Sequence, residues 1–146
     1  MAHLTNYYIM KNFFYSLFIL TILSGCTTND FNNSNPNIPN YSFTVDLNLS
    51  LPSYSNLTFA GNAIYYANVG AKGIYVFNTG SGYNAFDAAC PNQALNSCTT
   101  MTLNGINVVC PCDESEYSLF TGLGKLEYPL KQYRTELNGN VLRVYN

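Results

Sequence analysis

From Tyr41 to Leu51 apolar and polar residues alternate without a break. Tyr41, Phe43, Val45, Leu47, Leu49 and Leu51 share one parity; Ser42, Thr44, Asp46, Asn48 and Ser50 share the other. Successive side chains of a strand point to opposite faces, so this pattern predicts a strand with one apolar and one polar face, ended by Pro52. Further strands are predicted over 63–69, 73–78, 83–88, 106–109, 117–120, 132–137 and 141–145. Gly70-Ala71-Lys72-Gly73 forms the turn between the second and third strands. Asn138-Gly139 supplies the positive φ of a tight hairpin between the last two. No stretch keeps a helical period. Short strands with turn signals between them imply an all-β antiparallel sandwich or barrel over residues 41–146.

The first 40 residues break this pattern. An apolar run, residues 13–23, follows Met10-Lys11 and ends at Leu23-Ser24-Gly25-Cys26. It is too short to cross a bilayer, which takes about 20 apolar residues. A basic start, a short apolar stretch and small residues before a cut site describe a secretory signal over residues 1–25. Met10 is the expected start, because residues 1–9 add nothing such a signal needs. Leu23-Ser24-Gly25-Cys26 resembles a bacterial lipobox, which implies that Cys26 is lipidated and becomes the new N-terminus. Thr27, rather than Asp, follows it, and in lipoproteins this implies the outer membrane. Residues 26–40, rich in Asn, Ser and Pro, offer little to bury and predict a flexible tether.

Composition narrows the function. A net charge of −2 gives no basic field, so nucleic acid is not an expected partner. Only 10% of residues are charged and 13 are tyrosine, which suits a β-rich extracytoplasmic surface. The single histidine, His3, precedes the leader, so the processed chain has none. A Ser-His-Asp arrangement is thereby excluded. Asp113, Glu114 and Glu116 read as a solvated loop without a partner base or nucleophile, and no enzyme is expected. The glycine-rich turns at 70–73 and 80–82 precede strands rather than helices, so they do not cradle phosphate.

Five cysteines remain to be placed. Beyond Cys26 they are Cys90, Cys98, Cys110 and Cys112, in Cys90-Pro91-Asn92 and Cys110-Pro111-Cys112-Asp113-Glu114-Ser115-Glu116-Tyr117. An exported chain oxidises its thiols, and four cysteines allow three pairings. A four-cysteine zinc site lacks the paired Cys-x-x-Cys knuckles here.

The two cysteine–proline turns resemble the paired cluster-binding loops of Rieske iron–sulfur proteins, Cys-x-His and Cys-x-x-His. In that family two cysteines hold one iron and two histidines the other. Cys90 and Cys110 match the cysteine ligands. Asn92 and Asp113 stand where the histidines would be. Ser115 matches the serine that bonds a bridging sulfide, and Tyr117 the tyrosine that bonds a ligand cysteine. Residues 124–130, Gly-Lys-Leu-Glu-Tyr-Pro-Leu, match the family's Gly-Pro-Ala-x-x-Pro-Leu loop, with Lys125 in place of its proline.

The resemblance implies a Rieske-like fold with two cysteine loops at one tip. It also implies that Cys98–Cys112 repeats the family's loop-bridging disulfide, and that Cys90 and Cys110 bond each other where no iron separates them. Without histidines the resemblance implies no cofactor and no metal. The expected protein is an outer-membrane lipoprotein whose Rieske-like domain has lost its cluster and has a binding or structural role. Its partners are the membrane, through the lipid on Cys26, and an outer-membrane or periplasmic protein. The alternative reading is an electron-transfer protein with a Cys/Asp-ligated [2Fe-2S] cluster.

Overall fold

In the computed structural model, which describes residues 33–146, the alternating stretch forms β1 (Thr44–Asn48). Eight more strands follow: β2 (Ala63–Tyr66), β3 (Ile74–Asn78), β4 (Tyr83–Asp87), β5 (Thr102–Asn104), β6 (Asn107–Val109), β7 (Glu116–Ser118), β8 (Gln132–Asn138) and β9 (Val141–Tyr145). A single turn of 3-10 helix, Ser55–Thr58, lies between β1 and β2. The strands make a six-stranded sheet in the order β1-β9-β8-β4-β3-β2 and a three-stranded sheet in the order β5-β6-β7. Every ladder is antiparallel. The expected all-β antiparallel class is the class observed.

Strand β3 explains how the two sheets pack. All five of its residues are buried, and side chains alternate faces along a strand. Tyr75 and Phe77 join a core with Phe86, Cys90, Met101, Val108, Cys110 and Tyr117, which spans both sheets and both cysteine loops. Ile74 and Val76 join a second core with Leu47, Leu57, Ala85, Tyr133, Leu142 and Val144. There the large sheet curls so that β1 and β9 meet β3. Its edge is tied by Arg143, which donates to both oxygens of Asp46 at 2.8 and 3.0 Å across the β1–β9 ladder.

The elements depart from the expected ones where side chains intercept the backbone. β1 stops at Asn48 because the Asn48 side chain accepts from Ser50 N at 3.0 Å and its carbonyl accepts from Leu51 N, turning the chain. β2 stops at Tyr66 because Asn68 and Gly70 both take positive φ. The last hairpin turns one residue later than Asn138-Gly139 implies. Asn138 pairs with Val141, and Gly139 takes the positive φ at the first central position. That is the place of glycine in a type II′ turn.

The start of the folded unit also differs from expectation. Residues 33–40 read as tether, yet they lie on the domain, and the compact unit begins at Asn33. Ile38 is 1% exposed. Asn35 and Asn37 each donate a side-chain N–H to the carbonyl of Pro91 at 3.0 Å. Lys131, itself 2% exposed, donates to the carbonyl of Asn33 and to Asn40 Oδ1, both at 2.6 Å. A single apolar residue and a row of asparagine amides thus dock a segment whose composition suggests none of this. The signal, Met10, Cys26 and the rest of the expected tether lie outside the described residues.

Candidate functional site

The site is built from three loops. The first, after β4, is pinned as a narrow hairpin: Cys90 N donates to Thr99 O at 2.8 Å and Met101 N to Ala88 O at 2.7 Å. The second joins β6 to β7. Cys110 N donates to Ser115 O and Glu114 N to Cys110 O, with Glu114 in the left-handed region at φ 57°. The third runs from Gly122 to Leu130 and lies over β7: Ser118 N donates to Leu123 O and Leu130 N to Gly122 O. Gly124 sits against Tyr117 so closely that a Cβ there would overlap the ring.

Two disulfides join the first two loops. Cys90 is bonded to Cys110 and Cys98 to Cys112, the same pairs the resemblance implies. They differ in depth. Cys90 and Cys110 are buried in the core between the sheets, whereas Cys98 is exposed and Cys112 partly so. The Sγ atoms of Cys90, Cys110 and Cys112 all lie within 4.8 Å of one another.

Every matched position between the cysteines is engaged. Asn92 donates to the Tyr117 hydroxyl at 2.9 Å and to Tyr128 O at 2.8 Å, and its Oδ1 accepts from Tyr128 N at 3.0 Å. Asp113 accepts from Gln93 Nε2 at 2.7 Å on one oxygen, and from Ser115 N and Ser115 Oγ at 3.0 and 2.6 Å on the other. The Ser115 bonds, then those from Gln93, hold the Asp113 carboxyl below its ordinary value. Ser115 Oγ also lies 3.2 Å from the hydroxyl of Tyr117, whose ring is buried. Asp113, Ser115, Tyr117, Asn92 and Tyr128 therefore form one chain of contacts across all three loops.

At the root of the first cysteine loop, where β4 ends, stands a buried carboxylate that sequence reasoning missed. Asp87 is 0% exposed. It accepts from Ala71 N and the Tyr133 hydroxyl, both at 2.7 Å, and from Ala89 N at 2.8 Å. Burial, and then the charge and hydrogen bond of Asp87, push the Tyr133 hydroxyl strongly up. Burial lowers Lys131 and the field of Asp87 opposes that. The only sequence sign of Asp87 is an acid at the end of an apolar strand, directly before the cysteine loop.

On the outer side, an open cleft of about 580 Å³ separates the second and third loops. Asp113, Glu114, Glu116, Leu123, Lys125 and Leu126 line it. Among the described residues, no buried side-chain nitrogen or oxygen lacks a hydrogen-bond partner.

No family model and no curated protein matches this chain. Among solved structures it is similar to the Sphingomonas yanoikuyae B1 ferredoxin, at 16% identity over 62% of this chain and 93% of that one, with a TM-score of 0.45. It is also similar to the ferredoxin of carbazole 1,9a-dioxygenase from Nocardioides aromaticivorans IC177, at 16% identity over 59% of this chain and 86% of that one, with a TM-score of 0.42. A chain from a complex of reduced oxygenase and oxidized ferredoxin in carbazole 1,9a-dioxygenase matches at 22% identity over 59% of this chain and 82% of that one, with a TM-score of 0.43.

Proposed function

We propose that this chain is a lipid-anchored outer-membrane protein whose Rieske-like domain has exchanged its iron–sulfur cluster for two disulfides, and that it binds a protein partner through the cysteine-loop tip. The observation that carries this reading is the state of the four positions matching the cluster ligands. Cys90 and Cys110 are bonded to each other. Both Asn92 N–H groups and its oxygen are used within the loops, and both oxygens of Asp113 accept from neighbours. A Rieske centre needs two thiolates and two imidazoles. These residues do not fit one.

The role left to the tip is contact. Asp113, Glu114, Glu116 and Lys125 present charge around Leu123 and Leu126, both exposed. Loops held by two crosslinks lose little freedom when a partner docks, which favours binding. The anchor in this reading is the lipid on Cys26.

The test is an absorbance spectrum and an intact mass of the exported, purified protein. The expected result is no visible band and a mass four hydrogens below the all-thiol chain. Bound iron and sulfide with a visible band would overturn the reading in favour of an electron carrier with a Cys/Asp-ligated cluster.

A further inference from the structure

The two disulfides differ in access and yet lie side by side. Cys98 is exposed, so a soluble thiol reaches the outer bond there. The inner bond is closed off, with Cys90 and Cys110 both buried within the core. Disulfides shielded in this way resist direct attack, because exchange requires a thiolate to reach a sulfur. Cys112 joins the two environments. It belongs to the outer bond, packs against the core, and holds its Sγ within 4.8 Å of the Sγ atoms of both Cys90 and Cys110.

The geometry points to an internal thiol–disulfide relay, in which the outer disulfide takes electrons from a dithiol reductant and Cys112 passes them to the buried Cys90–Cys110 bond. It rests on the two disulfides alone and goes beyond a contact role for the tip. The reductant is a dithiol of the kind carried by two-cysteine exported reductases. One of its thiolates attacks Cys98 Sγ; a mixed disulfide forms and Cys112 leaves as thiolate with the electron pair of the broken bond. The second thiol of the reductant then displaces Cys98, which leaves as thiolate and takes a proton, and the reductant departs as a disulfide. The Cys112 thiolate attacks Cys90 Sγ, a Cys90–Cys112 bond forms, and Cys110 leaves and is protonated. Two electrons and two protons have passed to the chain. Its free thiols are now Cys98 and Cys110. Attack falls on Cys90 because a Cys110–Cys112 bond would close a ring across Pro111 alone, whose φ is fixed.

The surroundings suit this order of events. Asn96 Oδ1 lies 3.0 Å from Cys98 Sγ, so it can accept a hydrogen bond from the Cys98 thiol once that sulfur is released. Cys112 is partly buried against the core, where a thiolate is less well solvated than in open water and exchange with a neighbouring disulfide competes with protonation.

The experiment is partial reduction of the full exported chain with one equivalent of dithiothreitol at pH 8, followed by alkylation and peptide mapping, with circular dichroism to show that the fold is kept. The expected result is label on Cys98 while Cys112 is found in a disulfide. Label confined to Cys98 and Cys112, with Cys90–Cys110 intact, would overturn the relay. A second arm uses Cys98→Ser, which leaves Cys112 unpaired beside the inner bond without any reductant. Label divided between Cys112 and an inner cysteine supports the relay; label on Cys112 alone refutes it.

Discussion

Asn92 clasps the peptide of Tyr128 from both sides, donating to its carbonyl at 2.8 Å and accepting from its amide at 3.0 Å across a separation of 36 residues. It substitutes for a strand ladder where the third loop has none. Asn92→Ala leaves the Tyr128 amide and the Tyr117 hydroxyl each short of a partner. The expected cost is about 1–3 kcal/mol, read as a lower urea midpoint, with near-ultraviolet dichroism of the tyrosines reduced. An unchanged midpoint would show that the loops hold without the clasp.

Asp87 is the acceptor for three donors at the root of the first cysteine loop. Asp87→Ala strands the buried Ala89 amide and Tyr133 hydroxyl and takes the acceptor from the half-buried Ala71 amide, and at roughly 1–3 kcal/mol for each unsatisfied group it is expected to cost about 3 kcal/mol or more. Asp87→Asn keeps an oxygen for Ala71 and Tyr133 while turning an NH2 toward Ala89, so it falls between the alanine variant and the parent. Denaturant titration of the three proteins gives the order.

The absence of a side chain at Gly124 is what lets the third loop lie on Tyr117. Gly124→Ala forces the ring or the loop aside, with an expected loss of about 1–3 kcal/mol. Because the Tyr117 hydroxyl meets Asn92 and Ser115, amide exchange is expected to quicken at Tyr128 as well as in β7. Faster exchange in β7 alone would separate the packing from the hydrogen-bond chain.

Acid is expected to loosen the tip. Hydrogen bonds from Ser115 and Gln93 place the Asp113 carboxyl below its ordinary value. A group depressed in the folded state adds stability above its unfolded value, and that stability is lost as pH falls through the folded value. Thermal midpoints measured from pH 6 to pH 2 are therefore expected to fall further for the parent than for Asp113→Asn, the difference opening only below about pH 4. Parallel curves would remove Asp113 from the account.

Lys131 is the inner anchor of residues 33–40. Lys131→Met keeps the bulk of the side chain but donates nothing to Asn33 or Asn40. Limited proteolysis is expected to cut within 33–40 faster in this variant, with the sheets still intact by circular dichroism. If cleavage rates match, Ile38 and the Pro91 contacts hold the segment unaided.

Much of the sheet was legible because its signals are local. Alternation in β1, the apolar run of β3 and the turn glycines at 70, 73 and 139 each carry their meaning within a few residues. The missed pieces either lack an apolar pattern of their own or depend on partners far along the chain. β5 is three exposed residues, Thr102–Asn104, with no apolar face of its own, and it forms only because β6 lies beside it. The 3-10 turn at Ser55–Thr58 has no run of apolar positions to mark it and is fixed by Leu57 entering the second core. The docking of 33–40 depends on Lys131, some 98 residues from Asn33. At the tip, the cysteines and the residues standing at the histidine positions could be named from sequence. What Asn92 bonds could not, since an amide can serve any loop within reach.

Ile74 and Tyr75 are neighbours in the chain and lie in different cores. No cut through the molecule separates the crosslinked loops from the curled sheet without exposing one face of β3. The two halves are thus committed to melting as one cooperative unit. The β3 amides, rather than those of the disulfide-bonded loops, would be the last to exchange with solvent.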